Sequence, residues 1–225
     1  MQYTLDRAID DVEALRVALW TERIILWGSS YGADLAVLYE QRFPARVAAF
    51  ILTSPGTFPG VKPKHDYSPT NDRKAEASDA LSRAARQIDR LGGVAEATLS
   101  QDAAGRAFDA DLNSGALDGR MVCKGSTTPP PAAVTGGNLY SNRMLSKELR
   151  GLKPIAFVTP APVQPTITIR GSCDFVPISR AEKYQAAYGG TLVTVAKSGH
   201  GLRENAADLE SALRQFAFGP LSGIE

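Results

Sequence analysis

The sequence predicts an α/β fold: a parallel sheet of about four strands with helices packed on it and a helical insertion in its middle. Three observations carry that prediction. Short runs with strand patterning at 23–28, 47–53, 166–170 and 191–196 end at or near glycine or a turn, as strands of a buried parallel sheet do. Stretches of helical spacing fall between them, so strand, helix and strand over 23–53 make one βαβ unit of about 30 residues, with a right-handed crossover expected. The composition suits one sizeable core, with 225 residues, 44% hydrophobic and 22% charged.

Each element follows from its own pattern. Leu5, Ala8, Ile9, Val12, Leu15 and Leu19 recur at helical spacing, and Thr4 is placed to cap the N-terminus. Arg23–Gly28 (Arg-Ile-Ile-Leu-Trp-Gly) reads as a strand buried on both faces. The helix after it runs to Arg42 and is stopped by Pro44. Val47–Thr53 is a second buried strand. Pro55–Thr70 reads as a loop, after which Ala77, Ala80, Leu81, Ala84, Ile88 and Leu91 line one helical face. Weaker helical patterns cover 94–112 and 142–152, so residues 59–155 read as a helical cap inserted between body segments 1–58 and 156–225. Thr166–Arg170 and Thr191–Ala196 then restore the strand pattern, with helices at 180–188 and 204–218.

Charge and hydropathy exclude several classes. A formal charge of +1 gives nucleic acid and anionic membrane surfaces nothing to recruit. No apolar run approaches the roughly 18 residues of a membrane-spanning helix, and residues 1–11 lack the basic and apolar regions of a signal peptide. A cytoplasmic protein is expected. Cys123 and Cys173 are accordingly expected as free thiols, the alternative being a bridge that pins the cap to the body. No metal-ligand cluster, phosphate loop or cofactor motif stands out.

The sharpest chemical signal is Gly28-Ser29-Ser30-Tyr31-Gly32, a G-x-S-x-G pentapeptide. Its context matters more than its letters: a buried strand ends at Gly28 and a helix opens at Tyr31. A strand-to-helix turn this tight strains the central serine and lifts its hydroxyl above the strand ends. The helix N-terminus supplies N–H groups for developing negative charge, so Tyr31 N–H is the candidate oxyanion donor. A plain Gly-Ser loop is the alternative.

A serine hydroxyl needs a base. Of the two histidines, His65 lies in a polar loop and reads as a solvated surface residue. His200, in Ser198-Gly199-His200-Gly201, follows an apolar strand among small neighbours. The carboxylate that orients it is expected at Asp174, just after strand 166–170, because the end of strand 47–53 offers no acid. Ser30, Asp174 and His200 thus each fall at the carboxyl end of a strand, in the chain order of α/β-hydrolases.

The chain resembles that family. Arg23-Ile-Ile-Leu-Trp-Gly-Ser-Ser-Tyr-Gly-Ala-Asp-Leu-Ala, Phe43-Pro-Ala-Arg-Val, Pro165-Thr-Ile-Thr-Ile-Arg-Gly-Ser-Cys-Asp-Phe-Val-Pro and Lys197-Ser-Gly-His are similar to the proline iminopeptidase and tripeptidyl aminopeptidase branch. The resemblance implies an α/β-hydrolase-type sheet with a helical cap. It also implies serine hydrolysis of an N-terminal residue from a short peptide, without a cofactor, and cap carboxylates that hold the substrate's amine. Glu76, Glu96, Asp109 and Asp111 are candidates for that role, against simple solvation. Carboxylesterases share much of the pattern.

One departure stands out. Relatives carry several strands and a His-Gly-rich oxyanion loop ahead of the elbow, whereas here the serine is residue 30 and no His-Gly-Gly stretch occurs. The elbow strand is therefore expected at a sheet edge, with an N-terminal segment or a complementing chain completing the sheet. Loss of one oxyanion donor costs about 10²–10³ in kcat. A non-catalytic scaffold that binds a ligand or partner is the reading from another class.

Overall fold

The computed structural model describes residues 4–56, 59, 106, 121–123, 125–128, 144–145, 147–149, 151–152 and 164–222. The expected insertion at 59–155 lies for the most part outside them, as do His65, Glu76, Glu96, Asp109 and Asp111.

Four parallel strands form one sheet in the order β1-β2-β3-β4: β1 (Ile24–Ser29), β2 (Val47–Thr53), β3 (Thr166–Gly171) and β4 (Thr191–Val195). Helices α1 (Leu5–Ala18), α2 (Tyr31–Arg42), α3 (Ile178–Tyr188) and α4 (Ala206–Phe218) accompany them. Every one of these elements was legible in the sequence to within a few residues.

Side-chain alternation along β2 divides the core into two layers. Phe50 and Leu52 face a cluster with Val37 and Tyr39 of α2, Tyr184 and Tyr188 of α3, and Ile9 of α1. Ala49, on the opposite face, joins Ile167, Ile169, Val195 and, from α4, Ala212 and Phe216. The sheet is thus sandwiched between helices over β2 and β3, where a strand has no wet face.

β1 departs from the expectation of burial on both faces. Ile24 and Leu26 pack toward α2, but Ile25 and Trp27 are 48% and 58% exposed. The reason is position: β1 is an edge strand, as its place ahead of the elbow suggested, and the layer built around α4 gathers side chains of β2, β3 and β4 rather than β1.

α1 is anchored by polar contacts. Thr4 Oγ1 accepts the Arg7 N–H at 3.1 Å, the expected cap. Arg16 forks onto Glu13 at 2.7 and 2.9 Å, and the Tyr39 hydroxyl of α2 donates to the same carboxylate at 2.6 Å. The Arg16 hydrogen bond, with that from Tyr39, pulls Glu13 down to about 2.

Candidate active site

The turn from β1 into α2 is built as a strained elbow. Ser30 has φ 51° and ψ −117°, a left-handed conformation that costs a non-glycine residue about 1–3 kcal/mol. Three backbone hydrogen bonds hold it there. Its N–H donates to Thr53 O at 2.9 Å, and its carbonyl accepts from Ala33 N–H at 3.1 Å and Gly56 N–H at 3.3 Å. The two motif glycines are not equivalent. A Cβ on Gly28 would stand 2.4 Å from Gly32 O and 2.7 Å from Ala33 N, whereas one on Gly32 would meet nothing within 4 Å. Strand and helix cross at Gly28, and Gly32 contributes only its slim backbone.

The other two expected residues are in contact. His200 Nδ1 lies 2.9 Å from Asp174 Oδ1, and the side chains are 6% and 1% exposed. An ionised carboxylate only accepts, so Nδ1–H donates and Nε2 is left to take a proton. Asp174 Oδ1 also accepts the Val176 N–H at 2.9 Å, and Asp174 N–H closes a turn onto Gly171 O at 3.2 Å. The Phe175 ring lies against the imidazole at 4.6 Å between centroids. The pair is thereby fixed in orientation and tautomer, as a base requires.

The three loops sit at the same end of the sheet because each strand end is bonded to its neighbour. Ser30 N–H meets Thr53 O, Ser54 N–H meets Ile169 O at 2.7 Å, and Ser172 N–H meets Val195 O at 2.9 Å. Ser30 itself is not joined to His200: among the described residues its hydroxyl has no hydrogen bond. Such nucleophile–base contacts often tighten only with substrate bound. Tyr31 stands at the first position of α2, where its N–H lacks an intrahelical partner. Its hydroxyl is buried without a hydrogen-bond partner, and burial pushes it up to about 12.

Two residues around the site escaped the sequence reading. Arg170 of β3 is buried and donates from its guanidinium to Val176 O at 3.3 Å, bracing the Asp174 loop. Asp34, in the first turn of α2, is 2% exposed and accepts from the Tyr184 hydroxyl at 2.6 Å. Burial raises it to about 7. Each lies inside a quoted motif, but nothing in the letters marks a charge as buried. The two cysteines were read in the sequence, with a bridge as the alternative to free thiols. They are joined in a Cys123–Cys173 disulfide, with 5.3 Å between Cα atoms, which overturns the expectation of free thiols. That expectation came from the absence of a leader pattern, whereas pairing is decided by the approach of two loops 50 residues apart in the chain.

A family model described as alpha/beta hydrolase fold matches residues 2–104, just under half of the chain, and the sheet and the elbow have the α/β-hydrolase fold. An esterase from Thermogutta terrifontis is similar at 17% identity and TM-score 0.64, over 96% of this chain and 72% of that one. An esterase from Exiguobacterium antarcticum gives 18% and 0.58, over 96% and 75%. A structure from a study of carboxylesterases of Nitrososphaera gargenis gives 16% and 0.57, over 96% and 72%. No curated protein matches the chain in sequence. Among the described residues, no helix is long and apolar enough to cross a membrane, and no group of three metal-ligating side chains occurs.

Proposed function

We propose that the chain is a serine hydrolase working through an acyl-enzyme, with carboxylic esters ahead of peptides as its substrates. The observation that carries this reading is the buried Asp174–His200 pair at the same sheet end as a serine held at φ 51°. In it, Ser30 Oγ attacks the ester carbonyl while His200 Nε2 takes its proton, and Asp174 stabilises the imidazolium. Tyr31 N–H faces the oxyanion. His200 then protonates the departing alcohol and activates the water that releases Ser30. The esterases similar in fold favour the ester reading; the aminopeptidase reading rests on the sequence motifs alone. The open edge of β1 can accept a strand from another segment or chain, and the reading includes that completion with a second oxyanion donor.

Labelling with a fluorophosphonate tests the nucleophile: the chain is expected to label and Ser30→Ala is not. Equal labelling of both, or of neither, removes the reading in favour of a ligand-binding scaffold. Turnover of p-nitrophenyl acetate is expected to exceed that of proline naphthylamide, and the reverse order restores the aminopeptidase.

A disulfide in this position also bears on compartment. Stable disulfides belong to oxidising surroundings, so the Cys123–Cys173 bridge favours such a compartment over the cytoplasm first expected.

A further inference from the structure

Residues 121–123 fall within the stretch read as an insertion, yet they are fastened to both loops that carry the acid and the base. Cys123 is bonded through sulfur to Cys173, the residue before Asp174. Met121 O accepts the Gly201 N–H at 3.0 Å, next to His200 on its other side. Glu204 joins the two segments: one carboxylate oxygen accepts the Gly199 N–H at 3.0 Å and the other accepts the Cys123 N–H. Cys173 N–H, in turn, donates to Ser198 O at 2.9 Å. The contacts close a ring from Cys173 across sulfur to Cys123, through Glu204 to Gly199, and back through Ser198. The backbones touch within it: a Cβ on Gly199 would stand 2.6 Å from Met121 O and 2.7 Å from Val122 Cα. Only a glycine fits there.

Asp174 and His200 are each one residue from an anchor of this ring. We propose that the Cys123–Cys173 disulfide and Glu204 form a positioning clamp that sets the Asp174–His200 hydrogen bond, and that reduction of the bridge by a dithiol releases it. In the reduction the S–S bond breaks and two thiols form. The dithiol supplies two electrons and two protons and closes to its own disulfide. Residues 121–123 then stay tied to the base side alone, through Met121 O and Glu204, and the acid loop keeps only hydrogen bonds, among them Cys173 N–H to Ser198 O. A displacement of about 1 Å in such a constellation costs about 10²-fold in rate. The kinetic consequence rests on the hydrolase reading; the geometric one does not.

The test separates the two. His65 and His200 are the only histidines, so in the full chain carrying His65→Gln the Nδ1–H proton shared with Asp174 is a single downfield NMR resonance. It is expected to be sharp in the disulfide form. Dithiothreitol, Cys173→Ser and Glu204→Gln are each expected to broaden or remove it while far-ultraviolet circular dichroism is kept, and reoxidation by oxidised glutathione to restore it. For p-nitrophenyl acetate, kcat is expected to fall about ten- to a hundredfold, with KM changing by no more than about threefold. A resonance absent from the disulfide form, or unchanged in a chain shown by mass to be fully reduced, overturns the clamp. So does reduction that unfolds the chain, which makes the bridge a stability element only. A chain without turnover whose resonance still disappears and returns with redox state supports the clamp and counts against the hydrolase reading.

Discussion

Asp34 illustrates how a single side chain sets a pH dependence. Its carboxyl sits under the elbow, 2% exposed, with the Tyr184 hydroxyl on Oδ1 and Gly56 near Oδ2. Burial lifts it from an ordinary 3.8 to about 7, against the opposing hydrogen bond from Tyr184. A raised value means that the folded chain favours the protonated acid. Its contribution to stability is therefore complete below about 3.8 and is lost as pH rises through about 7. Asp34→Asn keeps an acceptor for Tyr184 and removes the titration. We expect urea denaturation to find the variant more stable than the parent at pH 8, by on the order of a few kcal/mol, with the advantage fading toward pH 4. Glu13 runs the other way: held down at about 2, its contribution is present above 4.5 and is lost as pH falls through 2. At this scale the sequence pointed to a contact where residue type and chain order decide it, as for Asp174 and His200. It was unreadable where the chemistry depends on burial, since the letters of Asp34 and Glu13 are alike in kind.

The elbow is the element on which the candidate chemistry turns, and its two glycines give opposite expectations. Gly28→Ala drives a methyl to 2.4 Å from the Gly32 carbonyl, a backbone atom that cannot swing away. A loss of about 3 kcal/mol in urea denaturation is expected. Gly32→Ala enters open space on a helix, where alanine is favoured by roughly 0.5–1 kcal/mol, so the same measurement should find no loss. β3 was legible from its Thr-Ile alternation and β2, covered on both faces, from a continuous apolar run. β1 carries the same kind of run for a different outcome. A local window cannot distinguish an apolar strand in the middle of a sheet from one at its margin, and Ile25 and Trp27 stand half in water as a result.

At the scale of the whole sheet, β1 and β4 are the two edge strands among the described residues. Among the described residues β1 has no strand partner on its outer edge, beside Ile25 and Trp27, the arrangement that invites edge-to-edge association. Ile25→Lys is expected to lower concentration-dependent light scattering while leaving circular dichroism unchanged; scattering that persists would locate association elsewhere. The parallel pairing of β1 with β2 followed from the βαβ reading, whereas a Cys123–Cys173 bridge stood only as the alternative, because no local pattern records which distant loops meet. The order of the strands has an evolutionary consequence. β2 and β3 are parallel neighbours, and parallel neighbours require a connection of about a dozen residues, whereas this chain spends 54–165 on it. Lengthening such a connection costs only a logarithm in entropy, so the connection can be rewritten while the sheet stays as it is. A graft from a foreign hydrolase would have to bring a cysteine to the place of Cys123, and the gift of interchangeable parts comes with that one fitting.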